Sequence, residues 1–173
     1  KYFLMACEMK NARGCFNSGF LYNQDKNFEL AKKYYLMACE MKDAEGCSDY
    51  GFKMSLEKQY EVAKKYYLMA CEMKYAVGCS NLAALERDIN KNYELAKKYL
   101  LMACEMKDGR SCNEYGLINI KEKNFEVAKK YFQMSCEMKI GVGCRNVGKI
   151  ERDINKNPEL VIKYTKMACE MKD

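Results

Sequence analysis

Eleven cysteines punctuate this 173-residue chain, and ten of them fall into five pairs of one spacing. The pairs are Cys7 and Cys15, Cys39 and Cys47, Cys71 and Cys79, Cys104 and Cys112, and Cys136 and Cys144. Thiols so arranged can do three things. They can close a ladder of disulfides, which requires an oxidising compartment. They can stay free in a core, where cysteine acts as a small apolar residue. They can hold metal, which usually shows two to four residues between paired cysteines and often histidine partners. Seven residues separate each pair and the chain has no histidine, so the disulfide ladder is the favoured reading. No metal and no cofactor are expected. Cys169 is left over, in a truncated sixth copy of the motif. Its partner would lie eight residues on, so it is not read as a reactive thiol.

Other reactive chemistry is sparse. The missing histidine removes the commonest general base. One S-x-x-K string, Ser55 to Lys58, has the form of a motif of serine penicillin-recognising enzymes, but its S-D-N and K-T-G companions are absent. Ser55 and Lys58 are weak catalytic candidates, placed near a turn between helices with no preformed pocket.

The elements that position the cysteines follow from the repeat. The pairs lie in copies of one string, MACEMKDAEGC at 37–47. The copies recur at a near-constant interval, which the cysteines Cys7, Cys39, Cys71, Cys104, Cys136 and Cys169 mark. Such a period denotes an array of supersecondary units rather than a domain with one central core. The units are 12–43, 44–75, 76–108, 109–140 and 141–173, with 1–11 as the tail of an earlier one, and 1–173 is read as a single repeat domain. The chain begins and ends inside a repeat, as the ordered part of a longer precursor would.

Each unit reads as two helices. In 12–43 the second helix is capped by Asn27, with Glu29 in the first turn, where the helix dipole favours an anion. Phe28, Ala31, Tyr35 and Ala38 recur at helical spacing and are expected to face inward. Leu30, Tyr34, Met37 and Met41 make a second apolar stripe, as in a helix packed between neighbours. Equivalent caps are Gln59, Asn92, Asn124 and Asn157, the last followed by Pro158, the chain's one proline. The first helix spans about Ala12 to Asn23. Gly19, Gly51, Ala83, Gly116 and Gly148 share one position, which suggests close approach of the partner helix. Units three and five carry one extra residue, in ERDINKN, at the turn between helices. Each cysteine pair then flanks an αα-hairpin turn, where a Cα separation that suits a disulfide is reachable.

The net charge is +6, from 30 basic and 24 acidic residues. Most lysines sit in AKKY segments beside glutamates, which is a solvated helix face. No basic stripe is gathered, which argues against nucleic acid and leaves an RNA-binding repeat as a remote alternative. No run approaches 18 apolar residues, so no membrane insertion is expected.

Gly19, Tyr22, Ala31, Tyr35 and Ala38 match the small and aromatic positions of a tetratricopeptide repeat. With the paired cysteines and the segments GCFNSG and GCRNVG, the chain resembles the SEL-like repeats of the Helicobacter cysteine-rich protein family. That resemblance implies an all-α, right-handed superhelical solenoid of disulfide-bridged helix pairs, secreted or periplasmic. It also implies penicillin binding or weak penicillin hydrolysis of the β-lactamase kind, as an alternative function. The family's repeats usually run to about 36 residues, so the turns here are shorter.

The second helices hardly change between units, whereas the first helices vary. In a tetratricopeptide-like solenoid the first helices line the concave face, and variation there suits a binding surface, although relaxed constraint gives the same pattern. The expected function is to bind a protein or peptide in that groove, as a monomer. Phe16, Phe20 and Phe52 are the expected apolar anchors. Arg145, Lys149 and Arg152 are expected to hold a carboxylate. Asn17, Asn81 and Asn146 recur at the sixth position of their units; with Asn113 they would hydrogen-bond a peptide backbone, or else bond within the fold.

Overall fold

The computed structural model describes residues 2–171. Among these the chain forms α1 (Tyr2–Glu8), α2 (Ala12–Gln24), α3 (Phe28–Glu40), α4 (Ala44–Leu56), α5 (Tyr60–Glu72) and α6 (Ala76–Asp88). Then follow α7 (Tyr93–Glu105), α8 (Gly109–Lys121), α9 (Phe125–Glu137), α10 (Gly141–Ile150), a π-helical turn (Glu151–Asn155) and α11 (Pro158–Glu170). No strand occurs among the described residues. The chain divides into two compact units, parting between Asn92 and Tyr93. The first holds α1 to α6 and three cysteine pairs, the second α7 to α11 and two. Within each unit, helices consecutive in sequence pack on one another.

Local chemistry explains where the helices start. The side chains of Asn11, Asp43 and Asp108 accept from the amides of Gly14, Gly46 and Ser111 at 2.8, 2.7 and 3.1 Å. Asn27 and Asn157 cap their helices as expected, accepting from Leu30 and Leu160 at 3.3 and 3.1 Å. Gln59 and Asn124 do not; their amides donate instead to Glu57 and Glu122 at 3.3 and 3.2 Å.

The helix ends carry a feature not expected from sequence. Among the described residues ten turns place a lysine, and none a glycine, in the left-handed region, with φ between 55° and 66°. Around Lys42, its N–H donates to Cys39 O at 2.8 Å and the Asp43 N–H donates to Ala38 O at 3.0 Å. This paired closure satisfies the last carbonyls of the helix. A lysine there also sets a cation against the negative end of the dipole, which offsets part of the backbone cost.

Every cysteine pair stands within bonding distance, with Cα separations of 4.4 to 4.6 Å. Each joins the last turn of one second helix to the first turn of the next first helix. The ten sulfur-bearing residues are at most 2 % exposed. They are part of the core: Cys39 and Cys47 pack with Ala70, Tyr66 and Met69 of α5. Such proximity needs a small neighbour. A Cβ on Gly46 would stand 2.7 Å from that of Ala38, and one on Gly78 would stand 2.5 Å from that of Ala70.

The mid-helix glycines have a related cause, but it is an aromatic ring rather than helix backbone. A Cβ on Gly19, Gly51 or Gly116 would stand 2.7, 2.9 or 2.5 Å from the ring of Tyr35, Tyr67 or Phe132. At Gly148 no ring faces the site, and the nearest atom is 3.8 Å away. Gly116→Ala is therefore expected to cost about 1–3 kcal/mol by overpacking. Gly148→Ala should instead stabilise by about 0.5–1 kcal/mol through helix propensity. Urea unfolding of both variants checks the opposite signs.

Candidate functional site

Two matching clefts open on the first helices, one in each compact unit. In the first unit, α4 supplies Phe52 and Ser55, and α5 supplies Tyr60 and Tyr67. Asn81, Ala84 and Leu85 of α6 face them, and Asp88 and Ile89 close the end. Tyr67 and Leu85 form a buried floor, 3 % and 5 % exposed, while Phe52 and Ile89 form an exposed rim. The volume is about 300 Å³. In the second unit each of these positions recurs, in the same order and at one constant offset along the chain. Leu117, Ile120, Phe125 and Phe132 stand for Phe52, Ser55, Tyr60 and Tyr67. Asn146, Lys149, Ile150, Asp153 and Ile154 complete a cleft of about 370 Å³.

The longer turn builds the end wall of both. ERDINKN occupies 86–92 and again 151–157. Its glutamate points inward: Glu86 and Glu151 are each 1 % exposed. Lys64 meets Glu86 at 2.7 Å and Lys129 meets Glu151 at 2.5 Å. Asn90 and Asn155 donate to the other carboxylate oxygens, both at 3.1 Å. The backbone closes the turn too, with the Asn92 and Asn157 amides donating to the Glu86 and Glu151 carbonyls at 2.8 and 2.9 Å. Burial alone would raise the Glu151 carboxyl, but Lys129 and Asn155 outweigh it and hold it below its ordinary value. Anchored at that glutamate, the turn swings Asp88–Ile89 and Asp153–Ile154 out over the clefts. Arg87 and Arg152 pair with the adjacent aspartates at 2.7 Å.

The corresponding place among α2, α3 and α4 is occupied by a lysine side chain. Lys53 stands where the other two sites have Leu85 and Ile150. It donates to Asn23 and lies 4.7 Å over the Phe28 ring. Phe28, expected to face inward, is half exposed beneath it.

The expected contact residues fare differently. Phe20 and Phe52 are exposed, at 46 % and 48 %. Phe16 is not an exposed anchor: it is buried against the Tyr35 ring, 5.8 Å between centroids, with the Arg13 guanidinium 4.6 Å over it. Asn17 is half-buried. Asn81 donates to Ser48 at 3.3 Å, and Asn146 donates to Asn113 at 2.8 Å. These are bonds within the fold between neighbouring first helices, and both asparagines also line a cleft. Arg145, Lys149 and Arg152 are exposed, with Arg152 forked onto Asp153. Ser55 shares its hydroxyl with the Tyr67 phenol, which burial pushes up to about 12. A phenol so raised keeps its proton and is no base for Ser55 at neutral pH. Lys58 meets Ser55 only through the backbone, its N–H donating to the Ser55 carbonyl at 3.0 Å from a left-handed turn. Among the described residues no group of three or more potential metal ligands is gathered, and no helix is long and apolar enough to cross a membrane.

The sixth position alternates: Asn17, Asn81 and Asn146 in odd units, Asp49 and Glu114 in even ones. Asp49 is raised to about 6, first by burial and then by Glu45, against the pull of Lys53 and a hydrogen bond with Tyr35. Its folded value lies above its unfolded one, so the folded state holds a proton that the unfolded state releases. The Asp49 contribution to stability is fullest below about pH 4 and falls, by at most about 3 kcal/mol, as pH rises to about 6. Asp49→Asn should remove that slope in urea midpoints measured between pH 4 and 7.

Helix pairs repeated at a near-constant interval, each hinged on a cysteine pair, define an all-helical repeat protein of the solenoid class. The chain is built from repeats of the Sel1 and tetratricopeptide types. Tetratricopeptide repeat models match residues 12–45 and 109–139, and Sel1 repeat models match 46–75 and 76–108. No curated protein matches. Among solved structures, a protective antigen of uropathogenic Escherichia coli with an SLR fold superposes with a TM-score of 0.84 at 17% identity. That match takes in 99% of this chain but only 41% of the antigen. A Sel1 repeat protein from Oxalobacter formigenes gives 0.83 at 16% identity, over 99% of this chain and 78% of that one. The tetratricopeptide protein YrrB, described as having an unusual peptide-binding site, gives 0.61 at 19% identity, over 99% and 93%. Likeness at these identities establishes the fold.

Proposed function

We propose that this chain binds a peptide segment of a protein partner on its first-helix face, in an oxidising extracellular or periplasmic setting. The observation that carries this is the pair of clefts, each rimmed by exposed apolar side chains at matching positions, Phe52 with Ile89 and Leu117 with Ile154. Clefts of a few hundred Å³ with an apolar floor and a few polar groups suit side-chain recognition. The peptide-binding site named for the similarly folded YrrB supports the same reading. Buried cysteine pairs support the compartment, since such bonds persist where glutathione does not reduce them.

The test is panning of a phage-displayed peptide library on the oxidised chain. Enriched peptides should lose about ten-fold or more in affinity for Phe52→Ala or Leu117→Ala, as truncated interface anchors do. Peptides that bind both variants as well as the parent would refute it.

A further inference from the structure

The two clefts share a backbone position but not a chemistry, and the differences fall on few residues. Where the first has Ser55, Tyr60 and Tyr67, the second has Ile120, Phe125 and Phe132. Three hydroxyls are replaced by apolar groups. Where the first has Ala84, the second has Lys149 on its rim. Asp153 nearby is already forked by Arg152 at 2.7 and 3.1 Å. Lys149 also acts on Asp153, but with Arg152 already on that carboxylate the three leave this rim with one net positive charge. We propose that the clefts select different side chains of a peptide: the first a hydrogen-bonding side chain such as tyrosine, the second a large aliphatic one flanked by an acidic residue. This rests on the peptide-binding reading and adds the chemistry of the ligand to it.

The physical basis is desolvation. A hydroxyl brought to the floor of the second cleft loses water against Ile120, Phe125 and Phe132, and the polar groups of that cleft are Asn146, already bonded to Asn113, and the rim pair Lys149 and Asp153. In the first cleft the same hydroxyl meets Ser55 and the phenols. These can donate or accept as needed, because a hydroxyl hydrogen rotates. Ser55 and Tyr67 already share one hydrogen bond, so an aliphatic side chain in the first cleft strips water from their remaining hydrogen-bonding capacity and from Tyr60, and it is disfavoured there for the converse reason. Lys149 adds a charge preference that Ala84 cannot supply. Being at an exposed rim, its contribution is modest, about two- to five-fold in affinity.

Isoleucine methyl groups report on each cleft separately. Ile89 belongs to the first; Ile120, Ile150 and Ile154 belong to the second. Methyl spectra of the isoleucine-labelled full chain would be titrated with three capped dipeptides, acetyl-Asp-Leu-amide, acetyl-Asn-Leu-amide and acetyl-Asn-Tyr-amide. The leucine probes should shift Ile120, Ile150 and Ile154 in preference to Ile89, and the tyrosine probe should do the reverse. The Asp probe should bind the second cleft about two- to five-fold more tightly than its Asn counterpart, and Lys149→Ala should erase that gap. The double change Ile120→Ser with Phe132→Tyr should move the second cleft about ten-fold toward the tyrosine probe. Equal ranking of the probes at both clefts, or an Asp preference that survives Lys149→Ala, overturns the inference while leaving peptide binding intact. Silence of all four methyls toward every probe, with library peptides binding elsewhere, overturns both.

Discussion

Reduction of the five cysteine pairs should unfold most of the chain at 37 °C. Each bridge closes a loop of eight residues' separation. In the chain-entropy account such a loop contributes about 2.5 kcal/mol. The first compact unit holds three bridges and the second two, so each unit stands to lose about 5–7.5 kcal/mol. That is comparable with the whole stability of an ordinary domain, about 5–15 kcal/mol. A repeat array is especially exposed to this loss, because its units lean only on their neighbours. The bridges are buried, so the reductant must be given with denaturant, which is then diluted away. The reduced and blocked chain should show less than half the far-UV helical signal of the oxidised chain. A reduced chain that keeps its helicity and melts at the parent temperature would show the bridges to be dispensable.

Lys129→Met is expected to cost about 3–5 kcal/mol at neutral pH, because it strands a carboxylate that is 1 % exposed. Replacing the glutamate as well, with Glu151→Gln, should recover much of this, since the buried charge is then gone. The pH dependence separates charge from packing. In the parent, Glu151 is held below its ordinary 4.5, so its contribution is present above that pH and is lost as pH falls through the folded value. In Lys129→Met the carboxylate has lost its cation and takes up a proton more readily. The penalty should therefore shrink on acidification to pH 4. A cost that stays constant between pH 4 and 7 would assign it to packing. The same substitution at Lys64 should act on the first cleft's wall, because Lys64 meets the buried Glu86 at 2.7 Å.

Periodic features were legible in the sequence. The cysteine spacing located the hairpin joints, and the Asn27 and Asn157 caps located the start of their second helices. Features that depend on a side chain's neighbours were not. Phe16 and Phe20 look alike in the string, yet Phe16 turns onto Tyr35 while Phe20 faces solvent. Phe28 lies at core spacing, but Lys53 from the next repeat covers it, and no periodicity encodes that contact. The left-handed lysines escaped because glycine is the usual residue at such a position. The clefts had a signal: ERDINKN appears twice, at 86–92 and at 151–157. As a loop insertion it says little. Its meaning comes from Glu86 and Glu151, which are charged residues that the fold buries and pairs.

The bridged hairpin is the premise beneath both the fold and the compartment, and intact mass tests it directly. The unreduced, denatured chain should take up one alkyl group, on Cys169, and eleven after reduction, since ten of its cysteines stand in five pairs and one is free. Ten or eleven adducts without reduction would contradict the account, and would remove the oxidising setting along with the bridges.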